Sequence, residues 1–227
     1  MTIAGYLTEL RTFPGDAVRA WRVAGWAGVR DEVRKRTIER VGGYARRFVI
    51  ESDLARLAEV APPEAVEVRP FTGPDWSLLA NIAPPRLAHR FEKASAAGRT
   101  CLVAWKERHV VGYAWLSPRI DLRHEEYDLP LPPDAIYIWQ LEVSPDERRQ
   151  GVAAALLSSG LQLARDRGVR RSWIVVHPDN VASLRTIASV ASSQVLGTVR
   201  RLKVLTWMYS RYRALSAPVQ IEGTLSR

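Results

Sequence analysis

Val143-Ser144-Pro145-Asp146-Glu147-Arg148-Arg149-Gln150-Gly151-Val152-Ala153 is the stretch whose reading decides the architecture of this chain. It leaves an apolar segment, Ala135 to Val143, rich in Ile, Tyr, Trp and Val and therefore read as a strand. Pro145 stops that strand, and a helical period follows from Gly151 to Asp166. Gly151 lets the backbone come close to a ligand, and Ala153 adds little bulk. At a helix start the first amides point outward without partners and carry about half a positive charge. A pyrophosphate fits such a concavity, and Arg148 and Arg149 add positive charge at its rim.

Working outward, Trp173 to His177 reads as another strand, after which Asp179 or Asn180 caps a helix to about Ala191. Gln194 to Tyr212 alternates loosely and supplies one or two terminal strands. Upstream, Val66-Glu67-Val68-Arg69 alternates like a strand, and Asp75 can cap a short helix through Ala83. Pro84-Pro85 opens a further helix to about Ala97. Thr100 to Trp105 and His109 to Leu116 form two strands around Lys106-Glu107-Arg108, a hairpin. Ser117 to Pro133 is polar and Pro-rich with no period, and loops of that length inside a compact domain are usually functional. This order of elements implies a mixed sheet with helices on both faces. Strands that alternate with helices should run parallel, through right-handed crossovers.

Arg148, Gly151 and Ala153 satisfy the pattern Arg/Gln-x-x-Gly-x-Gly/Ala, and in this context the segment resembles the central motif of the GNAT acyltransferases. The resemblance covers about Ala65 to Tyr212. Val66 to Arg69 is similar to the family's first strand, and Cys101 to Leu116 to its second and third. Ile136 to Val143 is similar to the fourth, and Trp173 to Val176 with His177-Pro178-Asp179-Asn180 to the fifth and the Asn-led helix beyond. The fold implied is α/β of the α+β type: a mixed, centrally splayed β-sheet flanked by helices.

The resemblance further implies an N-acyltransferase that moves an acyl group, by expectation acetyl, onto an amine by direct attack. Its cosubstrate would be acetyl-CoA or another acyl-CoA, or a donor carried on an acyl carrier protein, with no metal. The donor would lie in the splay. There the backbone of Leu141 and Val143 would meet the pantetheine, and the turn from Arg148 through Arg149, Gln150, Gly151 and Val152 to Ala153 would hold the pyrophosphate. Asn180 and Ser183 would lie beside it. The amine would enter from the opposite side, under the Ser117–Pro133 loop. Many members carry a Tyr seven residues after that Asn to protonate the departing thiolate. Here the position is Ile187, and Ala191-Ser192 replace the Gly-Phe that follows. Water, Tyr209 or Tyr212 would then have to serve.

Glu142 is the carboxylate nearest this segment and can act as general base, directly or through water. The plainer alternative is a strand residue turned to solvent. Strict alternation groups Glu142 with Gln140, which can orient an acceptor or a water, and a bulge would reset that facing. His177 stands where a strand ends above a parallel sheet, a place where ligands gather. The alternative there is a loop His satisfied by hydrogen bonds. Cys101, the only cysteine, reads as a buried strand residue and excludes an intrachain disulfide.

Hydrophobic residues make up 47% of the 227 and charged residues 25%, an ordinary globular balance. No run of about 18 apolar residues suggests a membrane span, and Met1 to Phe13 does not read as a signal peptide. A cytoplasmic setting is expected, with peripheral membrane contact as an alternative. The net charge of +9 should attract polyanions. No helix-turn-helix, zinc-knuckle or RNA-recognition signature supports nucleic acid as the partner. Trp26, Val29, Val33, Thr37, Val41, Ala45 and Phe48 recur at helical spacing. Residues 1–61 are thus expected to form a basic helical extension, 62–213 the acyltransferase domain and 214–227 a tail. The second functional reading is a catalytically weak relative that binds an anionic surface through that basic helix.

Overall fold

The computed structural model describes Trp26 and residues 43–73, 75–79, 82–83, 87–121, 125, 127–204 and 207–221. Eight strands lie in one open sheet: β1 (Gly43–Leu57), β2 (Val66–Pro70), β3 (Thr100–Lys106), β4 (His109–Ser117), β5 (Ala135–Val143), β6 (Arg171–Val176), β7 (Ala191–Val204) and β8 (Trp207–Gln220). Helix α1 (Ala88–Ala96) precedes β3, α2 (Val152–Asp166) joins β5 to β6, and α3 (Val181–Val190) joins β6 to β7. Short 3-10 turns occupy Trp76–Leu79 and Pro145–Glu147. The strand order is β2-β3-β4-β5-β6-β1-β7-β8.

Alternating side chains of the strands feed two cores, one on each face of the sheet. Leu156, Leu161, Leu184 and Ile187 of α2 and α3 pack on Leu102, Ile138, Ile50 and Val195. On the other face, Trp76, Leu79, Phe91 and Ala94 pack on Val103, Tyr113, Trp115 and Trp139. The apolar segments expected as strands and helices between Val66 and Val190 therefore find their places. Asp75 caps as expected, its Oδ1 accepting from the Ser77 amide at 3.0 Å, although the helix it starts is a single 3-10 turn.

The expectation of helix through Phe48 is corrected by β1, which runs as a strand between β6 and β7. Helical spacing at Val41, Ala45 and Phe48 is real in the sequence, but a second period overlies it. Val49 joins the aromatic core, and Ile50 and Leu54 join the aliphatic one. That is a period of two, and burial on both faces favours it. The rest of the expected helical extension lies outside the described residues, apart from Trp26. Likewise β8 runs on through Gln220, taking seven residues from the segment expected as a tail. Because β1 is antiparallel to both β6 and β7, those two strands share one direction, as the intervening α3 requires.

Candidate functional site

The parallel pair β5–β6 holds only from Ala135–Arg171 to Ile138–Ile174. Asp134 ties its closed end. The backbone carbonyl of Asp134 accepts from the Arg170 and Arg171 amides at 3.0 and 3.2 Å, and its carboxylate pairs with both guanidinium groups. The Arg171 guanidinium holds the Asp134 carboxyl below its usual range. Beyond Ile138 the two strands part, which leaves a wedge between Trp139–Val143 and the end of β6.

A bulge accompanies that parting. Gln140 takes a left-handed φ of +52°, and the β4–β5 register passes from Trp115–Trp139 to Tyr113–Glu142. Three residues of β5 thus oppose two of β4, so the alternation resets. Glu142 shares a face with Tyr113, Trp115 and Trp139, whereas Leu141 and Val143 join the α2 side. Glu142 is exposed, Leu141 half-buried and Val143 buried. Gln140 is the residue that absorbs the bulge, and its alternation partnership with Glu142 does not survive it.

The turn from β5 into α2 is built for close approach. Arg149 at φ +64° and Gly151 at φ +86° both turn left-handed, and no side chain caps α2. Backbone amides in such a turn, with the exposed first-turn amides of a helix, make a concavity for an anion. A Cβ added at Gly151 would meet nothing nearer than Pro63 Cγ at 3.7 Å, so the space over it is open. Val152 is buried and Ala153 half-buried, fixing the helix start. Lys106 Nζ grips the Glu147 carboxylate at 2.9 and 3.0 Å and anchors the turn to β3. Gln150 bonds back to the Asp146 carbonyl at 3.1 Å. Arg148 does not simply stand at the rim: its Nε donates to the Val143 carbonyl at 3.2 Å, one of the backbone groups expected to meet the pantetheine.

At the other arm of the wedge, Asn180 caps α3, its Oδ1 accepting from the Ser183 amide at 3.1 Å. Of the two candidate caps, Asn180 is therefore the one used. His177, at the end of β6 and 46% exposed in its side chain, accepts the Asp179 amide on Nδ1 at 3.1 Å with the Asp179 carboxylate at 3.6 Å. Those bonds run within its own turn. Ile187, at the position where the family's Tyr would stand, is 2% exposed and belongs to the core. Tyr212 lies on the same face as Glu142, its ring 6.1 Å from Trp173, and burial with the nearby Glu51 charge raises its phenol pKa. Tyr209 points from the opposite face of β8 and is 60% exposed.

Two groups of residues near the site carried no sequence signal of their own. Arg90 of α1 lies 5.0 Å over the Trp139 ring. Burial pushes the Tyr113 phenol up, Glu142 pushes it further and Arg90 pulls it down, so both charges stand close to that hydroxyl. The second group fastens the Ser117–Pro133 loop. Glu125 and Arg99 have side chains 0% and 1% exposed and pair at 3.1 and 3.3 Å. Ser117 Oγ donates to Glu125 at 2.6 Å and the Asp121 amide at 2.7 Å, while Trp139 Nε1 donates to Ser117 Oγ at 2.8 Å. The loop is thereby locked to β5 at Trp139, one residue before the left-handed Gln140. Acid–base pairs separated by 26 residues cannot be seen in a single sequence.

The profile of the acetyltransferase (GNAT) family matches residues 66–189, more than half of the chain. The chain belongs to the GNAT family of acetyltransferases. Two curated relatives are the L-2,4-diaminobutyric acid acetyltransferases of Nocardia farcinica and Bordetella parapertussis. The first is 38% identical over 65 residues, 29% of this chain and 34% of the relative. The second is 37% identical over 76 residues, 34% of this chain and 41% of the relative. The chain thus spans about a third to two-fifths of the curated relatives it matches. Among solved structures, a Drosophila protein superposes with a TM-score of 0.56 at 12% identity, over 80% of this chain and 58% of that one. The glucosamine N-acetyltransferase region of a fungal multi-domain β-N-acetylglucosaminidase gives 0.53 at 13% identity, over 77% and 22%. Both likenesses are of fold. Members of the GNAT family use acetyl-CoA as cosubstrate, and the wedge, the open space at Gly151 and the uncapped helix start fit that molecule.

Proposed function

We propose that this chain transfers an acetyl group from acetyl-CoA to a primary amine. The observation that carries the reading is the parting of β5 from β6 directly beside the uncapped, left-handed entry to α2. The wedge leaves backbone of Leu141 and Val143 able to line an extended thioester arm, and the amides from Arg149 to Ala153 converge on its pyrophosphate. Asn180 and Ser183 close the α3 side. The donor supplies a thioester carbonyl. Glu142, turned by the bulge onto the aromatic face, takes the proton that an ammonium must lose before its nitrogen can attack. Tyr212, on that face with its ring beside Trp173, is the phenol we assign to return a proton to the sulfur. Gln140 and His177 border the opening as polar positioning groups. Small diamines and diamino acids are the first acceptors to test, because the curated relatives bear the name of one.

Calorimetric titration of acetyl-CoA into the wild-type chain and into Gly151→Asp tests the donor site. The variant places a carboxylate where the pyrophosphate is expected, in open space but at a φ that costs a side chain about 1 kcal/mol. We expect a folded protein that no longer binds acetyl-CoA, through repulsion between like charges. Unaltered affinity in the folded variant would remove the proposed donor site.

A further inference from the structure

The three strands β1, β7 and β8 extend beyond the rest of the sheet. β6 ends at Val176 opposite Phe48, whereas β1 continues to Gly43, β7 to Val204 and β8 starts at Trp207. The result is a three-stranded arm, about 20 Å long at 3.3 Å per residue, at the end of the sheet where β5 and β6 part. Its sequence is one-signed: residues 43–47, 198–204 and 207–213 hold seven arginines and lysines and no carboxylate.

The register concentrates that charge. Arg46 stands opposite Arg200, and Arg200 opposite Arg211, so three guanidinium groups form a row straight across the arm. All three are exposed. They share the face of Thr198 and Phe48, the side on which α3 packs, while Val199 and Tyr212 face the other way. Arg201, on that other face, lies over the Tyr127 ring and is part of the loop's seating. Cβ atoms paired across strands lie about 4.5–5.5 Å apart, and like charges so placed destabilise a sheet. A row of this kind is retained at a cost that an anionic surface would remove.

The next row along says which surface. Leu202 and Tyr209 pair across β7 and β8 on the arginine face, 45% and 60% exposed. In the sequence around the ends of this pair, Val204-Leu205-Thr206-Trp207-Met208, four of five residues are apolar. Nucleic acid would be met by cations to the end of the arm. A strand pair whose last described row is apolar and aromatic and exposed, with the arginine row two residues behind it, matches the layering of a bilayer interface. There aromatic residues sit at headgroup level, and guanidinium groups pair with lipid phosphates. We propose that the arginine row of Arg46, Arg200 and Arg211, with the exposed Leu202 and Tyr209 beside it, docks this protein on an anionic phospholipid surface. The arm then presents the open end of the β5–β6 wedge to the membrane. This assignment differs from the N-terminal helix expected from sequence, and it does not depend on the acetyl-transfer reading.

Co-sedimentation of the full chain with phosphatidylcholine vesicles, with and without phosphatidylserine, tests the proposal. We expect binding only to the phosphatidylserine vesicles, weakening as salt shortens the Debye length. Each arginine removed should weaken binding about fivefold, so Arg46→Gln/Arg200→Gln/Arg211→Gln should lose on the order of a hundredfold. The Lys triple should keep most of it, and Leu202→Ser should weaken binding without altering its salt dependence. Removal of the arginine row should leave thermal stability unchanged or raised, because it relieves like-charge repulsion. Failure of the wild-type chain to bind phosphatidylserine vesicles would overturn the proposal. So would equal binding by the Gln triple, or loss of binding in Arg34→Gln/Lys35→Gln/Arg36→Gln with the arm intact. Retention on duplex DNA in place of vesicles would assign the row to nucleic acid instead.

Discussion

Glu142 owes its place to its neighbour. The left-handed Gln140 inserts one residue into β5, and the three residues that follow, Leu141 to Val143, exchange faces relative to the first half of the strand. Without the bulge Glu142 would stand with Ile138 on the α2 side. With it, Glu142 lies on the face of Tyr113, whose hydroxyl is also close to Arg90, opposite the α2 side of the sheet. In the proposed reaction, a base placed there would reach an incoming amine without crossing the sheet. Glu142→Gln keeps size and hydrogen bonding but cannot accept the proton. Turnover should fall about 10²–10⁴-fold, acetyl-CoA affinity should be unchanged, and the acid limb of the pH–rate profile should vanish. An unaltered profile in a thioester-cleavage assay would remove Glu142 from the reaction. Period-two reading of the sequence could not resolve its facing, because a bulge is a property of two strands. The left-handed, uncapped turn into α2 was legible, since Arg148, Gly151 and Ala153 lie within six residues of one another. The bond from Arg148 to the Val143 carbonyl was not, as a side chain's choice of partner is not written in spacing.

At the scale of elements, the described residues of the loop between β4 and β5 form no helix or strand and are firmly tied. One carboxylate does most of this work: Glu125 accepts from Arg99, Ser117 and the Asp121 amide, and Ser117 accepts from Trp139 in turn. Loss of one partner from a buried pair leaves the other charge desolvated, at a cost of about 3–5 kcal/mol. Glu125→Ala should therefore lower stability by that amount in urea denaturation and open residues 118–133 to limited proteolysis. Arg99→Met/Glu125→Leu should recover much of the stability, since an apolar pair of similar volume removes the stranded charge. Equal destabilisation by the single and double variants would show that shape, not charge, holds the loop. Composition alone marked this loop as long and purposeful, but nothing local revealed its anchor. The hairpin β3–β4 was the easier case: two apolar runs and a polar tripeptide sufficed, and Lys106 does pair with His109.

The whole molecule is organised around a strand that the sequence disguises. β1 carries Val49, Ile50 and Leu54, all 0% exposed, into both cores, and its two edges pair with β6 and β7. Helical spacing upstream of Phe48 masks it, and its partners lie at least 118 residues away in sequence. Local pattern therefore had no means of placing it, although the alternation from Val49 to Leu54 was there to be read. Its removal has a definite consequence. β6 and β7 run in the same direction, so closing the gap between them would require a parallel ladder in place of two antiparallel ones. A chain lacking residues 1–57 would expose two unpaired strand edges and the apolar faces on both sides of them. That fragment should be recovered as aggregate, or should melt without cooperativity, in contrast to the full chain. A soluble fragment with a single cooperative transition and intact acetyl-CoA binding would show that β7 can pair directly with β6. In that event β1 would be an insertion into a sheet that closes without it, not the strand on which both cores depend.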